Sequence, residues 1–236
     1  MSTTADMKRL LQPYVDRHDD LALVGRAVII KPVRHLICGF FVDRTSAKTS
    51  LDPFWYVSLM YAPWMHKGFS WAGYDLVRHT NLEDKATPAD IFQAMDIAFA
   101  ELRGILDGCS AFGIKLKAFR KLEDFPIYRG LVQAAEGDFQ RAVEDLSRYA
   151  AGEANHVQDK LDFIEKHTRP RGRPRQRQLA TLECIKTNLN AIETLISLLK
   201  ERDRQGIANL LREWERGTAT AWQIEHLWEP TPFPFE

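Results

Sequence analysis

Five arginines stand within one stretch, Arg169-Pro170-Arg171-Gly172-Arg173-Pro174-Arg175-Gln176-Arg177, and no acid interrupts them. A guanidinium binds phosphate or carboxylate through paired N–H donors, so Arg169, Arg171, Arg173, Arg175 and Arg177 could engage a polyanion. Gly172, lacking a side chain, would leave room for close approach. The same composition also suits a solvated, proline-interrupted hinge between helices, because runs of like charge normally stay in water. The surroundings favour the hinge. Without these five arginines, residues 111–236 carry 15 basic and 19 acidic side chains, so nothing nearby extends a phosphate-binding surface.

Other reactive side chains are scattered. The histidines are His18, His35, His66, His79, His156, His167 and His226, and none belongs to an H-x-H, H-x-x-x-H or H-E-x-x-H pair. Cys38, Cys109 and Cys184 form no C-x-x-C, so neither a zinc site nor a disulfide framework is predicted. His35 and Cys38 read as sharing a strand but facing opposite sides, which makes a poor ligand or catalytic pair. The chain contains no G-x-S-x-G, G-x-x-x-x-G-K-[ST] or G-x-G-x-x-G, so triad hydrolase, P-loop and dinucleotide chemistry lack support. No catalytic residue, metal or cofactor is assigned.

Two aromatic groups could meet a partner. Pro63-Trp64-Met65-His66-Lys67-Gly68 reads as a connection between strands, with Trp64 and His66 as its exposed members. The tail Glu229-Pro230-Thr231-Pro232-Phe233-Pro234-Phe235-Glu236 is extended by composition. It could present Phe233 and Phe235 to a groove, or fold back on its own helices; the second is favoured because exposed Phe pairs are costly in water.

The elements that would position these groups change character near residue 110. The 236 residues are 45% hydrophobic and 27% charged, with 32 Lys+Arg against 32 Asp+Glu. These are values of an ordinary globular protein without a field that announces a polyanionic partner. A short helix over Ala5–Leu11 is expected, limited by Pro13. Strand-like runs follow at Leu21–Ile30, His35–Val42, Phe54–Ala62 and Gly68–Val77, and their short connections predict an antiparallel meander. Thr87-Pro88-Ala89-Asp90 has the form of a helix start. Ile91, Met95, Ala98, Leu102 and Ile105 then recur at helical spacing, predicting a helix that covers the sheet and ends near Gly108. Beyond residue 110 the spacing predicts helices near 114–121, 126–135, 138–151, 154–167, 177–202, 204–217 and 218–228. A basic loop is expected over 168–177.

Gly137-Asp138-Phe139-Gln140-Arg141-Ala142-Val143-Glu144-Asp145-Leu146 resembles the turn and second helix of a tetratricopeptide repeat, with Tyr128–Glu136 as the first helix. The resemblance implies tight helical hairpins in which Gly137 turns the chain and Ala142 admits a close neighbour. Without a fixed period, a regular array is not expected. Pro170-Arg171-Gly172-Arg173-Pro174 resembles an AT-hook, which implies arginines laid in a narrow A·T minor groove. The whole chain generally resembles uncharacterised bacterial proteins.

The expected fold class is therefore α+β. An antiparallel sheet domain with a covering helix (1–110) precedes an all-α, tetratricopeptide-like helical region (111–236). The expected function is non-enzymatic protein binding, as an adaptor or an immunity-like protein of a bacterium. Weak association with A·T-rich DNA is the alternative, and an enzyme with an unrecognised dispersed site comes third. The spaced cysteines, the first residues and the absence of an apolar run near 18 residues point to a cytoplasmic protein without a membrane span.

Overall fold

The computed structural model describes residues 3–44, 50–63, 71–73, 80–81, 87–104, 125–167 and 173–236. The fold is α+β: an antiparallel sheet in the first half is followed by a helical region. The chain divides into two compact units. The first holds Met1–Tyr61, Met65–Lys115 and Glu215–Thr231; the second holds Ala62–Trp64, Leu116–Trp214 and Pro232–Glu236.

In the first unit, α1 spans Thr4–Val15. Thr3 caps it, its hydroxyl accepting from the Asp6 amide at 3.2 Å while the Asp6 carboxylate accepts from the Thr3 amide at 2.8 Å. The helix continues through Pro13 and does not stop before it. The missing amide costs one hydrogen bond near the helix end, and the buried row Met7, Leu11, Tyr14 and Val15 carries the last turn.

Among the described residues six strands follow: β1 (Leu21–Val24), β2 (Ala27–Ile30), β3 (Leu36–Arg44), β4 (Ser50–Leu59), β5 (Trp71–Gly73) and β6 (Thr80–Asn81). They pair antiparallel in the order β1-β2-β3-β4-β5, with β6 also on β4. The run at Leu21–Ile30 is thus a hairpin and not one strand. Val24 pairs with Ala27 across the turn, and Gly25 takes φ +63°, a conformation glycine adopts without a Cβ clash.

Alternation splits the central strands between two faces. Leu36, Cys38, Phe40 and Val42 are buried on one face. Helix α2 (Thr87–Arg103) packs against β3 and β4, burying Ile91, Met95, Ala98, Phe99 and Leu102 as the spacing predicts. Ile105 and Gly108 lie outside the described residues. Ile29, Ile37, Phe54 and Tyr56, reached from the other face, pack with Ala219, Trp222 and Ile224. Those three belong to Glu215–Thr231, the C-terminal stretch of the first unit. The sheet is therefore covered on both sides by segments far apart in sequence.

The second unit is built from α3 (Pro126–Glu136), α4 (Phe139–His167), α5 (Arg173–Glu201) and the start of α6 (Arg204–Trp222). Gly137 ends α3 at φ +85°, with its amide donating to the Ala134 carbonyl and the Asp138 amide to that of Gln133. Helix α4 is one helix where the spacing suggested two. Gly152 lies exposed within it, and the row Ala142, Leu146, Ala150, Val157 and Ile164 stays buried on both sides of that glycine. Helix α6 likewise passes through Gly217 without the expected break at 217–218. Helix α5 starts at Arg173, so the expected loop over 168–177 does not reach its far end. Pro174 fits there because the first helical turn needs no amide donor. The helix expected near 114–121 lies outside the described residues.

Candidate functional site

The first-unit constellation with the most chemical content is centred on His35. This residue sits in a bend just before β3, so it does not share a strand with Cys38 as the sequence suggested. Cys38 is buried within β3, and burial pushes its thiol pKa well up. Instead His35 Nδ1 lies 2.7 Å from Glu215 Oε1, and His35 Nε2 lies 3.1 Å from Thr231 Oγ1. The Glu215 side chain is fully buried and the His35 side chain is 11% exposed. An imidazole donating from Nδ1 to the carboxylate would accept the Thr231 hydroxyl proton at Nε2, the order of hydroxyl, base and orienting acid. The same bonds also hold the chain together. The Val33 amide donates to the Leu227 carbonyl and the Glu229 amide to that of Val33, closing a parallel bridge between Val33 and Trp228. No motif could reveal this set, because its members are 180 and 196 positions apart. A signal existed at Glu215 alone: an acid placed on the apolar row Ile207, Leu211, Trp214, Thr218 and Trp222.

The second unit carries a groove of about 360 Å3 between α4 and α5. Lys160, Phe163 and Ile164 line it from α4, and Gln178, Thr181 and Leu182 from α5. Its floor is apolar, formed where Val157, Ile164 and Leu182 pack with Leu161 and Ile185. Phe163 stands 54% exposed, its ring stacked on His167 at 4.4 Å between centroids. A large exposed ring beside an apolar hollow is the surface feature from which contact residues of interfaces are drawn.

The residues singled out from sequence fare differently. Arg169, Arg171 and Gly172 lie outside the described residues, as do Trp64 and His66. Arg173, Arg175 and Arg177 are helical, within the first turns of α5. Phe233 and Phe235 are no docking peptide: they are buried, 2% and 8% exposed, because the tail folds back within the second unit.

A partly buried ion pair in that unit couples to pH. Asp145, in α4, accepts two hydrogen bonds from Arg129 of α3, and Arg148 lies 3.5 Å away. The Arg129 hydrogen bonds hold the Asp145 carboxyl below its usual pKa. A carboxyl depressed by folding contributes stability above the unfolded pKa, and that stability is lost as pH falls through the folded value. Urea midpoints should therefore drop between pH 7 and pH 3, and Asp145→Asn should flatten that drop while lowering the pH 7 midpoint. An unchanged pH profile in the variant would remove Asp145 as its source.

Comparison of the chain with protein families, with curated proteins and with solved structures finds no match. Among the described residues no group of three His, Cys, Asp or Glu is placed to hold a metal ion, and no helix is long and apolar enough to cross a membrane.

Proposed function

We propose that this protein is a non-enzymatic, protein-binding adaptor or an immunity-like protein, and that it docks its partner on the groove between α4 and α5. The observation that carries the reading is Phe163, more than half exposed above an apolar floor. Aromatic side chains in such positions are typical anchors of protein interfaces. The resemblance of Gly137–Leu146 to a tetratricopeptide repeat supports it as an expectation from sequence, and Gly137 at φ +85° and a fully buried Ala142 are compatible with a tight helical hairpin. A photo-crosslinking residue replacing Phe163 should yield one defined protein adduct in cells. The same residue at Glu165, exposed on the far side of α4, should yield none. Adducts at both positions or at neither contradict the reading.

Thr231, His35 and Glu215 favour a second reading, an enzyme with a dispersed site in which Thr231 Oγ1 attacks an ester carbonyl, its proton passing through His35 to the alcohol that leaves as the acyl–Thr231 ester forms. A fluorophosphonate probe decides it. Labelling abolished by Thr231→Ala and by His35→Gln supports catalysis, and absence of labelling leaves these residues as a clamp on the chain.

A further inference from the structure

We infer that the occupant of the α4–α5 groove is an acidic amphipathic helix of a partner protein, an inference that rests on the protein-binding reading above. Shape comes first. Two helices side by side leave a furrow that a third helix can fill, with apolar residues at three- and four-residue spacing seated on its floor. Here that floor is Ile164 and Leu182, with Phe163 rising beside it. A furrow of about 360 Å3 has room for a few apolar side chains.

Charge then selects among helices. Lys160 lines the groove on α4 and is exposed. Arg177, also exposed, precedes Thr181 by four residues, so it stands beside the α5 wall. Lys186 follows Leu182 by the same interval and flanks it. The nearby acids are mostly turned away. At about 100° per residue, Asp162 and Glu165 fall on the side of α4 opposite Lys160, Phe163 and Ile164, and Glu183 points away from Gln178 and Leu182. Asp159 stands within a turn of Phe163, outnumbered by the three cations.

The same balance disfavours the other occupants. A second copy would bring an equally basic face against this one. Duplex DNA would satisfy the cations but leave Phe163 and the apolar floor in water. An acidic helix with an apolar stripe satisfies both halves of the surface.

Fluorescence anisotropy on the full chain tests this with four labelled probes. The first is a peptide of about 20 residues, long enough to form helix on a surface, with Leu along one helical stripe and Glu at most other positions. The second replaces its Glu by Lys, the third replaces its Leu by Ser, and the fourth is an A·T-rich duplex. The Glu–Leu peptide should bind at least about ten-fold more tightly than the others, and raising the salt from about 0.05 to 0.5 M should weaken it. Phe163→Ala should raise its Kd about ten-fold, as should the double change Lys160→Glu, Arg177→Glu, while Glu165→Lys should leave it unchanged. These are exposed helical positions, so circular dichroism should match the parent chain. Equal binding of the Lys–Leu peptide overturns the acidic partner yet leaves protein docking at Phe163 standing. Preference for the duplex overturns both. Failure of all four probes overturns the acidic helix, and the crosslinking result at Phe163 then judges the broader reading separately.

Discussion

Replacing Gly39 by Ala is expected to destabilise the first unit by at least about 3 kcal/mol, at the upper end of overpacking costs. Gly39 lies in β3 between Ile29 of β2 and Tyr56 of β4. A Cβ built there would sit 2.0 Å from the Val28 carbonyl oxygen and 3.1 Å from the Tyr56 hydroxyl. The second contact could be relieved by moving a side chain. The first could not, since the obstacle is backbone fixed in the middle of a five-strand ladder. Separating β2 from β3 would disturb Ile29 and Ile37, both fully buried in the core beneath Trp222. Thermal melts followed by near-ultraviolet circular dichroism should show a loss on the order of 6–12 °C. A variant melting with the parent would mean that β2 and β3 are not paired in this register.

Phe233→Ala should cost about 3–5 kcal/mol, the usual range for deleting a buried ring. The Phe233 ring is 2% exposed. It stacks on Phe235 at 5.7 Å, and the Arg212 guanidinium lies 5.9 Å from its centroid. Phe235 in turn meets Phe139 edge-on at 5.3 Å. Glu236 closes the arrangement by accepting from the Phe233 amide and pairing with Arg212. The tail therefore contributes core to the second unit. Phe163→Ala offers the contrast, because a ring already 54% exposed should change stability by no more than about 0.5 kcal/mol. Urea denaturation of the two variants side by side checks this. Equal losses would mean that the tail is not packed or that Phe163 is not exposed.

Much of the fold could be read from the chain because local chemistry and tertiary environment agree there. Val, Ile and aromatic runs mark β3 and β4, Thr87-Pro88 marks the start of α2, and Gly137 marks the α3–α4 turn. Errors arose where one residue type serves two purposes. Gly25 turns the chain left-handed and splits a strand-like run into a hairpin, whereas Gly152 rides through a helix on its exposed side. Proline reads as a boundary at Pro13 and Pro174, yet it is tolerated near a helix end and in a first turn. The candidate site was less legible. Phe163 occupies a helical position like any core aromatic, and only the structure shows it 54% exposed. The fold-back of the two tail phenylalanines is readable from the cost of exposing an apolar pair, but the surface they cover is not, because no local pattern encodes it. His35, Glu215 and Thr231 meet only because Glu215–Thr231 belongs with the sheet.

The protein-binding account is tested most directly by affinity purification from cells at near-physiological salt, comparing the parent chain with Phe163→Asp. A charge at this exposed position should leave folding intact while placing a carboxylate over the apolar floor. The account predicts one protein retained in fixed ratio with the parent chain, lost with Phe163→Asp and kept with Glu165→Lys. Retention of the same protein by Phe163→Asp, or recovery of nucleic acid in its place, would contradict it.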